Sequence, residues 1–355
     1  MKLHAIIRNT VLAATSLMTM LTVTGCHTIF EDSDCDASYN LVKLTYDHNM
    51  KFADAFDAEV ERVSLLAFDS KTGKLVKRID ADHAQLTKDN ELVLQVDPGT
   101  YDLLVWGGDY SSHFDIADGE AGTSAPEDFH CYLHRDSKSE VTEEIPHLYH
   151  GMVTRVELPY ASPSRPHRET VNLKKNTNVV RVVLQHLSGE PVIADDFEFT
   201  ITDGNGWLNH DNTLRDNTSL TYRPWFTHSG SVDINTNPED APTNSPSIPA
   251  PKFDMSRSVL GASLAEFTVS RLLMENKPML TVRNKAENKT VLSVPLNDYA
   301  LLVKGFGHSN LSDQEYLDRQ DEYNMTFFLD QGGRWLNTVV IINDWRIIRH
   351  QGAIE

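Results

Sequence analysis

The sequence predicts an all-β chain folded as two tandem β-sandwich domains with little helix, and three observations predict it. Short segments alternate apolar and polar residues, as in Asn40-Leu-Val-Lys-Leu-Thr-Tyr-Asp47, residues 60–68 and residues 198–202. That spacing lines one face of a pleated strand with apolar side chains. Two pairs of segments echo each other: "NLVKLTYDH" (40–48) aligns with "NVVRVVLQH" (178–186), and "VLQVDPGTYDLLVWG" (93–107) matches "VLSVPLNDYALLVKG" (291–305) at eight of fifteen positions without a gap. Finally, 355 residues are more than one hydrophobic core usually fills. A tandem pair of related sandwiches satisfies all three.

The elements follow in chain order. Lys2 and Arg8 precede an uncharged apolar segment, residues 11–23, the layout of a bacterial export signal. The segment is broken by Thr15, Ser16, Thr19 and Thr22 and is shorter than the roughly 20 residues that a spanning helix needs. Residues 1–25 therefore read as a cleaved leader. Val23-Thr24-Gly25-Cys26 has the form of a lipobox, where bacterial lipoproteins are cut ahead of a cysteine. Small Thr24 and Gly25 let the chain lie extended in a peptidase groove, and the Cys26 thiol is the nucleophile that takes the lipid. Acyl chains then hold the protein to a bilayer without spanning it, at about 0.8 kcal/mol per buried methylene. A free cysteine after an ordinary signal is the bland alternative. His27, not aspartate, follows the cysteine, which favours sorting to the outer membrane. Residues 26–38 form an acidic tether with Glu31, Asp32, Asp34 and Asp36; a surface-display signal and a plain solvated linker both fit it.

The first sandwich is expected over residues 39–162 and the second over 170–355. Between them Pro159, Pro163 and Pro166 fall within eight residues and apolar periodicity lapses. Residues 69–73 and Asp203-Gly-Asn-Gly206 carry hairpin chemistry, with glycines available for positive φ. In each half an apolar strand is expected after the tyrosine of the second echo, Tyr101 and Tyr299. Residues 235–251, with five prolines and no periodicity, read as a long loop of the second domain. The clearest helix signal is the capping box Ser312-Asp-Gln-Glu315 ahead of Tyr316 and Leu317, followed by a strand through Tyr323, Phe327 and Phe328.

Composition excludes some functions. The net charge is −19, and becomes −21 when Lys2 and Arg8 leave with the leader. Phosphate binding needs a basic face, so nucleic acid is not a partner. Once Cys26 is lipidated, Cys35 and Cys131 remain, an even pair that an oxidising compartment invites to form a disulfide. His130, Cys131, His134, His147 and His150 are the densest set of metal-type ligands, and His130 and His134 have the spacing of one helix face. Their surroundings read as strands and loops with no Asp or Glu placed to take a hydrogen bond from a ligand's other ring nitrogen, so turn and surface histidines are the preferred reading and no metal is assigned. "TDGNGWL" (202–208) lacks the flanking acids of a calcium loop, with Ile201 where one should stand. No GxSxG, HExxH or Walker sequence occurs, and nothing calls for a cofactor or for catalysis. Of the tryptophans at 106, 207, 225, 335 and 345, Trp106 reads as core, whereas Trp207 and Trp225, expected in polar loops, are candidate sugar contacts.

Taken in order, the lipobox, "FEDSDC", "LTYDHNMKFADAF", "VERVSLLAFDSKTGKLV", "DPGTYDLLVWGG", "LYHG", "VVRVVL", "QEYLDRQDEYNMTFFL" and "VVIINDWRII" resemble the FimB/Mfa anchor family, the fimbrillin-associated anchor lipoproteins of Bacteroidales. The resemblance spans nearly all of the chain after the leader, with residues 235–251 the least family-like. It implies two transthyretin-like Greek-key β-sandwich domains, a lipid on Cys26 in the outer membrane, fimbrial subunits as partners, and a non-enzymatic role that holds a fimbria to the cell and limits its length. No catalytic residue carries over. The strand margins of a sandwich are templates for a partner's strand. The tether from Cys26 to Asp36 has no Lys or Arg for a trypsin-like cut, which favours an anchor over a stalk subunit. The alternative is a surface glycan-binding lipoprotein, drawing on Trp207, Trp225 and the acid-rich residues 107–122.

Overall fold

The computed structural model describes residues 38–233 and 259–348. The leader, Cys26, Cys35 and the proline-rich residues 235–251 lie outside the described residues.

The first half comprises β1 (Ser38–Thr45), α1 (Phe56–Glu59), β2 (Arg62–Asp69), β3 (Lys74–Asp82), β4 (Glu91–Val96), β5 (Gly99–Gly107), β6 (Phe114–Ile116), β7 (Cys131–Leu133), β8 (Glu140–Val141), β9 (Tyr149–Leu158), β10 (His167–Asn172) and β11 (Lys174–Lys175). A three-stranded sheet, β10-β1-β4, faces a five-stranded one, β11-β9-β5-β2-β3. Between them pack Val42, Leu44, Leu92, Leu94, Val63, Leu65, Leu103 and Val105. Alternation in β1 supplies one apolar face, as its sequence requires. β2 and β5 are apolar on both faces because both are covered: Leu66, Phe68, Leu104 and Trp106 point away from that core into a second one.

The second half comprises β12 (Thr177–His186), β13 (Phe197–Asp203), β14 (Trp207–Leu208), β15 (Leu220–Tyr222), β16 (Phe226–Asp233), β17 (Val259–Ser270), β18 (Met279–Asn284), β19 (Lys289–Pro295), α2 (Leu296–Leu301), α3 (Asp313–Arg319), β20 (Glu322–Leu329), β21 (Trp335–Ile342) and β22 (Trp345–Ile348). Its sheets run β16-β17-β12-β20-β21-β22 and β19-β18-β13-β15-β8. The second includes β8 from the first half, and a small sheet, β14-β7-β6, likewise draws on both halves. The fold is thus the expected all-β pair of sandwiches, but the larger core is continuous across the divide.

The first echo holds in three dimensions. β1 lies between a parallel β10 and an antiparallel β4; β12 lies between a parallel β20 and an antiparallel β17. The second echo does not hold. Residues 93–107 form β4 and β5, whereas residues 291–305 form the end of β19 and then α2. The strand expected after Tyr299 is a helix. Pro295 occupies its N-cap position, Asp298 lies in the first turn, and Leu296, Tyr299, Ala300 and Val303 bury one face at helical spacing.

The turn expected at residues 69–73 joins β2 to β3, with Gly73 at φ +66°. Asp203-Gly-Asn-Gly206 is not a hairpin, however. β13 pairs with β15, beginning only at Leu220, and the intervening chain crosses to the first half, where the Leu133 N–H donates to the Gly206 carbonyl at 2.8 Å. The glycines there serve close approach rather than positive φ: a Cβ on Gly204 would sit 2.6 Å from the Asn217 carbonyl oxygen. The expected helix is α3. The Ser312 hydroxyl accepts from the Glu315 N–H at 3.1 Å, as the capping reading requires.

Candidate attachment surfaces and the seam between the halves

The seam is held by polar groups whose partners lie far apart in sequence. On the second-half side, Arg271 donates from Nε and Nη2 to the two oxygens of Asp318, each at 2.8 Å, and from Nη1 to the Asn212 carbonyl at 2.8 Å, and Lys174 of the first half reaches the same Asp318 at 3.4 Å. Burial works against the Asp318 charge, yet the Arg271 hydrogen bonds, aided by Lys174, hold its carboxyl below the usual range. The Asn176 and Asn212 amides bond reciprocally at 2.6 and 3.0 Å. Lys175, buried, reaches Glu59 at 3.1 Å and Asp321 at 3.7 Å. The Tyr149 hydroxyl donates to the same Glu59, and the Tyr46 hydroxyl donates to Asp321, each at 3.1 Å. Burial pushes the Asp321 carboxyl up, against the pull of Lys175. From α3, Arg319 donates to the Asp47 and Asn49 carbonyls and lies 4.7 Å over the Phe52 ring. Removing one partner from such a set leaves a buried charge alone, the costliest kind of loss. The halves are therefore locked, not hinged.

Beside this seam opens a cleft of about 630 Å³, lined by Asn49, Lys175, Phe306, Arg319, Asn324 and Trp345 among others. Sheet margins are the other open features. β3 is guarded by Lys74, Lys77, Arg78, Asp80 and Asp82, and its Leu75 exchanges backbone hydrogen bonds with Gly122 and Ser124. On the five-stranded sheet, which the three-stranded one only partly covers, Ile79, Val153 and Val156 stay partly buried.

The residues singled out from sequence are dispersed. Cys131 is 2% exposed in the continuous core, and burial pushes its thiol pKa well up. Trp106 is fully buried, as expected, and its indole N–H donates to the Phe129 carbonyl at 3.3 Å. Trp207 lies in β14 rather than in a loop, paired with Tyr132, and Arg215 covers its ring at 5.2 Å. Trp225 directly precedes β16 and is half-buried. Neither indole N–H has a hydrogen-bond partner among the described residues. The histidines separate: His130 packs on Trp207, His134 pairs with Asp115 at 2.9 Å, and His147 lies near Tyr149. His150 is buried and bonds the His210 carbonyl at 2.7 Å, and burial lowers its pKa to about 4. No group of three or more His, Cys, Asp or Glu that could hold a metal occurs among the described residues. What sequence reasoning missed is the pair Phe306 and Trp345, whose signals were the flanking Gly305 and Gly307 and the Asn343-Asp344 turn.

The sequence pattern of the fimbrillin-A associated anchor proteins Mfa1 and Mfa2 matches residues 31–351. The chain belongs to that family. Solved relatives agree. A Bacteroides thetaiotaomicron protein proposed to be an adhesin is 31% identical, over 88% of this chain and 98% of its own, with a TM-score of 0.72. A second protein of that organism, proposed to bind polysaccharide, is 28% identical over 88% and 99%, also at 0.72. The fimbrial anchor protein Mfa2 from Porphyromonas gingivalis shares the fold at 18% identity and a TM-score of 0.61, over 88% and 99%. No curated protein matches the sequence. Membership places the chain among structural proteins of the cell surface rather than in a known enzyme family.

Proposed function

We propose that this protein anchors fimbriae to the outer membrane. The observation that carries the reading is the family match over residues 31–351. Lipid on Cys26 holds the chain to the bilayer, residues 26–38 tether it, and the two sandwiches bear the fimbrial subunit and limit fimbrial length. The first domain extends through β10 and β11 to Lys175, because those strands pair with β1 and β9; the second begins at β12. A subunit's strand adds to an open margin of the three-stranded sheet, where it would cover Ile79 on one side or Val153 and Val156 on the other. Main-chain hydrogen bonds supply the attachment and the buried apolar groups its register. The locked seam supports this reading, since a tethered anchor must pass force between its ends.

The test compares wild type with Cys26→Ala, counting fimbriae on cells and in the medium by electron microscopy. The mutant should shed fimbriae and make longer ones. A protein released from the membrane with fimbriae unaffected would refute the anchor.

A further inference from the structure

We propose that the cleft at the seam binds a neutral oligosaccharide, with Phe306 and Trp345 as its stacking platform. The two rings stack on one another, 11° apart with centroids at 4.7 Å, so each covers one face of the other and a ligand has the outer faces. They remain 53% and 47% exposed, and both line the cleft. Their position is fixed in advance. Asn343 and Asp344 adopt φ of +45° and +68° in the two-residue turn between β21 and β22. The Asn343 side-chain oxygen accepts from the Asn324 N–H at 2.8 Å, and the Asn343 N–H donates to the Asn324 carbonyl at 2.9 Å. That turn sets Trp345 at the rim, so a ligand need not order it.

The border of the platform selects the chemistry. His308, Asn324 and Asp344 stand around the rings, and neither the Asp344 carboxylate nor the His308 ring nitrogens make a hydrogen bond among the described residues. A wholly apolar occupant would strand these groups without water. A pyranose presents a flat C–H face to an aromatic ring and hydroxyls at its edge, which suits an aromatic floor bordered by amide, imidazole and carboxylate. Charge makes the sugar neutral. The chain carries −19 overall, Lys175 is held by Glu59 and Asp321, and Arg319 is held by Glu315 at 2.9 Å. Lys51 also lines the cleft, but Lys51, Lys175 and Arg319 stand against the four carboxylates of Glu59, Asp321, Glu322 and Asp344, so the lining does not favour a uronate or sulfate.

Native affinity electrophoresis tests this with the full-length protein in detergent, in gels containing mannan, a β-1,3-glucan or a galactan, with polygalacturonate as the anionic comparison. At least one neutral polysaccharide should slow the wild type and polygalacturonate should not. Trp345→Ala should weaken binding at least about tenfold and Phe306→Ala less, with circular dichroism unchanged; Trp207→Ala should bind normally. Failure of all three neutral polysaccharides to retard the wild type overturns the proposal, as does normal retardation of Trp345→Ala. Loss of fimbrial-subunit capture in Trp345→Ala, without polysaccharide binding by the wild type, would assign the platform to a protein partner and also overturn it.

Discussion

Residues 93–107 and 291–305 share their valines, leucines, tyrosine and final glycine, yet one is two strands and the other a strand end followed by a helix. The shared apolar positions suit either period. What differs lies between them: Gly99, Thr100 and Asp102 in the first, Asn297, Asp298 and Ala300 in the second. Gly99 follows Pro98 in a turn and Thr100 is β-branched, both poor starts to a helix. Asp298 and Ala300 favour a first helical turn. Surroundings complete the choice. β5 has β2 and β9 as neighbours and a core on each face, whereas α2 has one core to cover and turns one face to it. Apolar pattern thus says what is buried, while the residues between, and the number of faces to be filled, say in which conformation.

The sharpest way to break this comparison is at its most unlike matched pair, Trp106 and Lys304. Trp106→Ala should cost about 3–5 kcal/mol, because it opens a cavity in the continuous core. Lys304→Ala at the matching position should cost under about 1 kcal/mol, because it loses only an ion pair with the exposed Asp313. Urea midpoints measure both, and equal shifts would mean that the two segments occupy equivalent environments. The next effect is one of pH. His150 stacks edge-on against Trp106 with ring centroids 4.8 Å apart, and its pKa is lowered from 6.5 to about 4. The folded state therefore refuses a proton that the unfolded chain accepts. Its stabilising contribution is complete above pH 6.5 and is lost as pH falls towards 4, by about 2–3 kcal/mol. Comparing urea midpoints at pH 7 and pH 4.5 for wild type and His150→Gln reads this out; the variant should lose less stability on acidification. A pH dependence unchanged in the variant would show that His150 titrates normally. The smallest effect tests the helix. Asp298→Thr installs the residue of the strand copy and should cost about 1 kcal/mol, through lower helix propensity and loss of a favourable first-turn charge. No change in thermal midpoint would mean that packing alone selects the helix.

Features that depend on near neighbours were readable from sequence. The alternation of β1 and β12, the Ser312 cap of α3 and the burial of Trp106 each follow from a few adjacent residues. The seam did not follow, because its pairs join residues such as Lys175 and Asp321, or Lys174 and Asp318, whose proximity is a product of the completed fold. Asp203-Gly-Asn-Gly206 was misread for a related reason: turn chemistry marks where a chain bends, not which strand receives it. Trp207 was valued over Trp345 because a polar sequence context suggests exposure, whereas Arg215 covers the first and a turn displays the second.

The two-faced sheet has a consequence for how the molecule can be divided. β2 and β5 give one face to each core, and the larger core runs on from Cys131 and Val141 of the first half to Leu208 and Tyr222 of the second, so separating the halves would cut it open. The surface so bared is of the kind that drives aggregation. The halves are consequently not modules in the evolutionary sense: a recombination event could not exchange one without a matching surface on the other, and denaturant should melt both in a single transition.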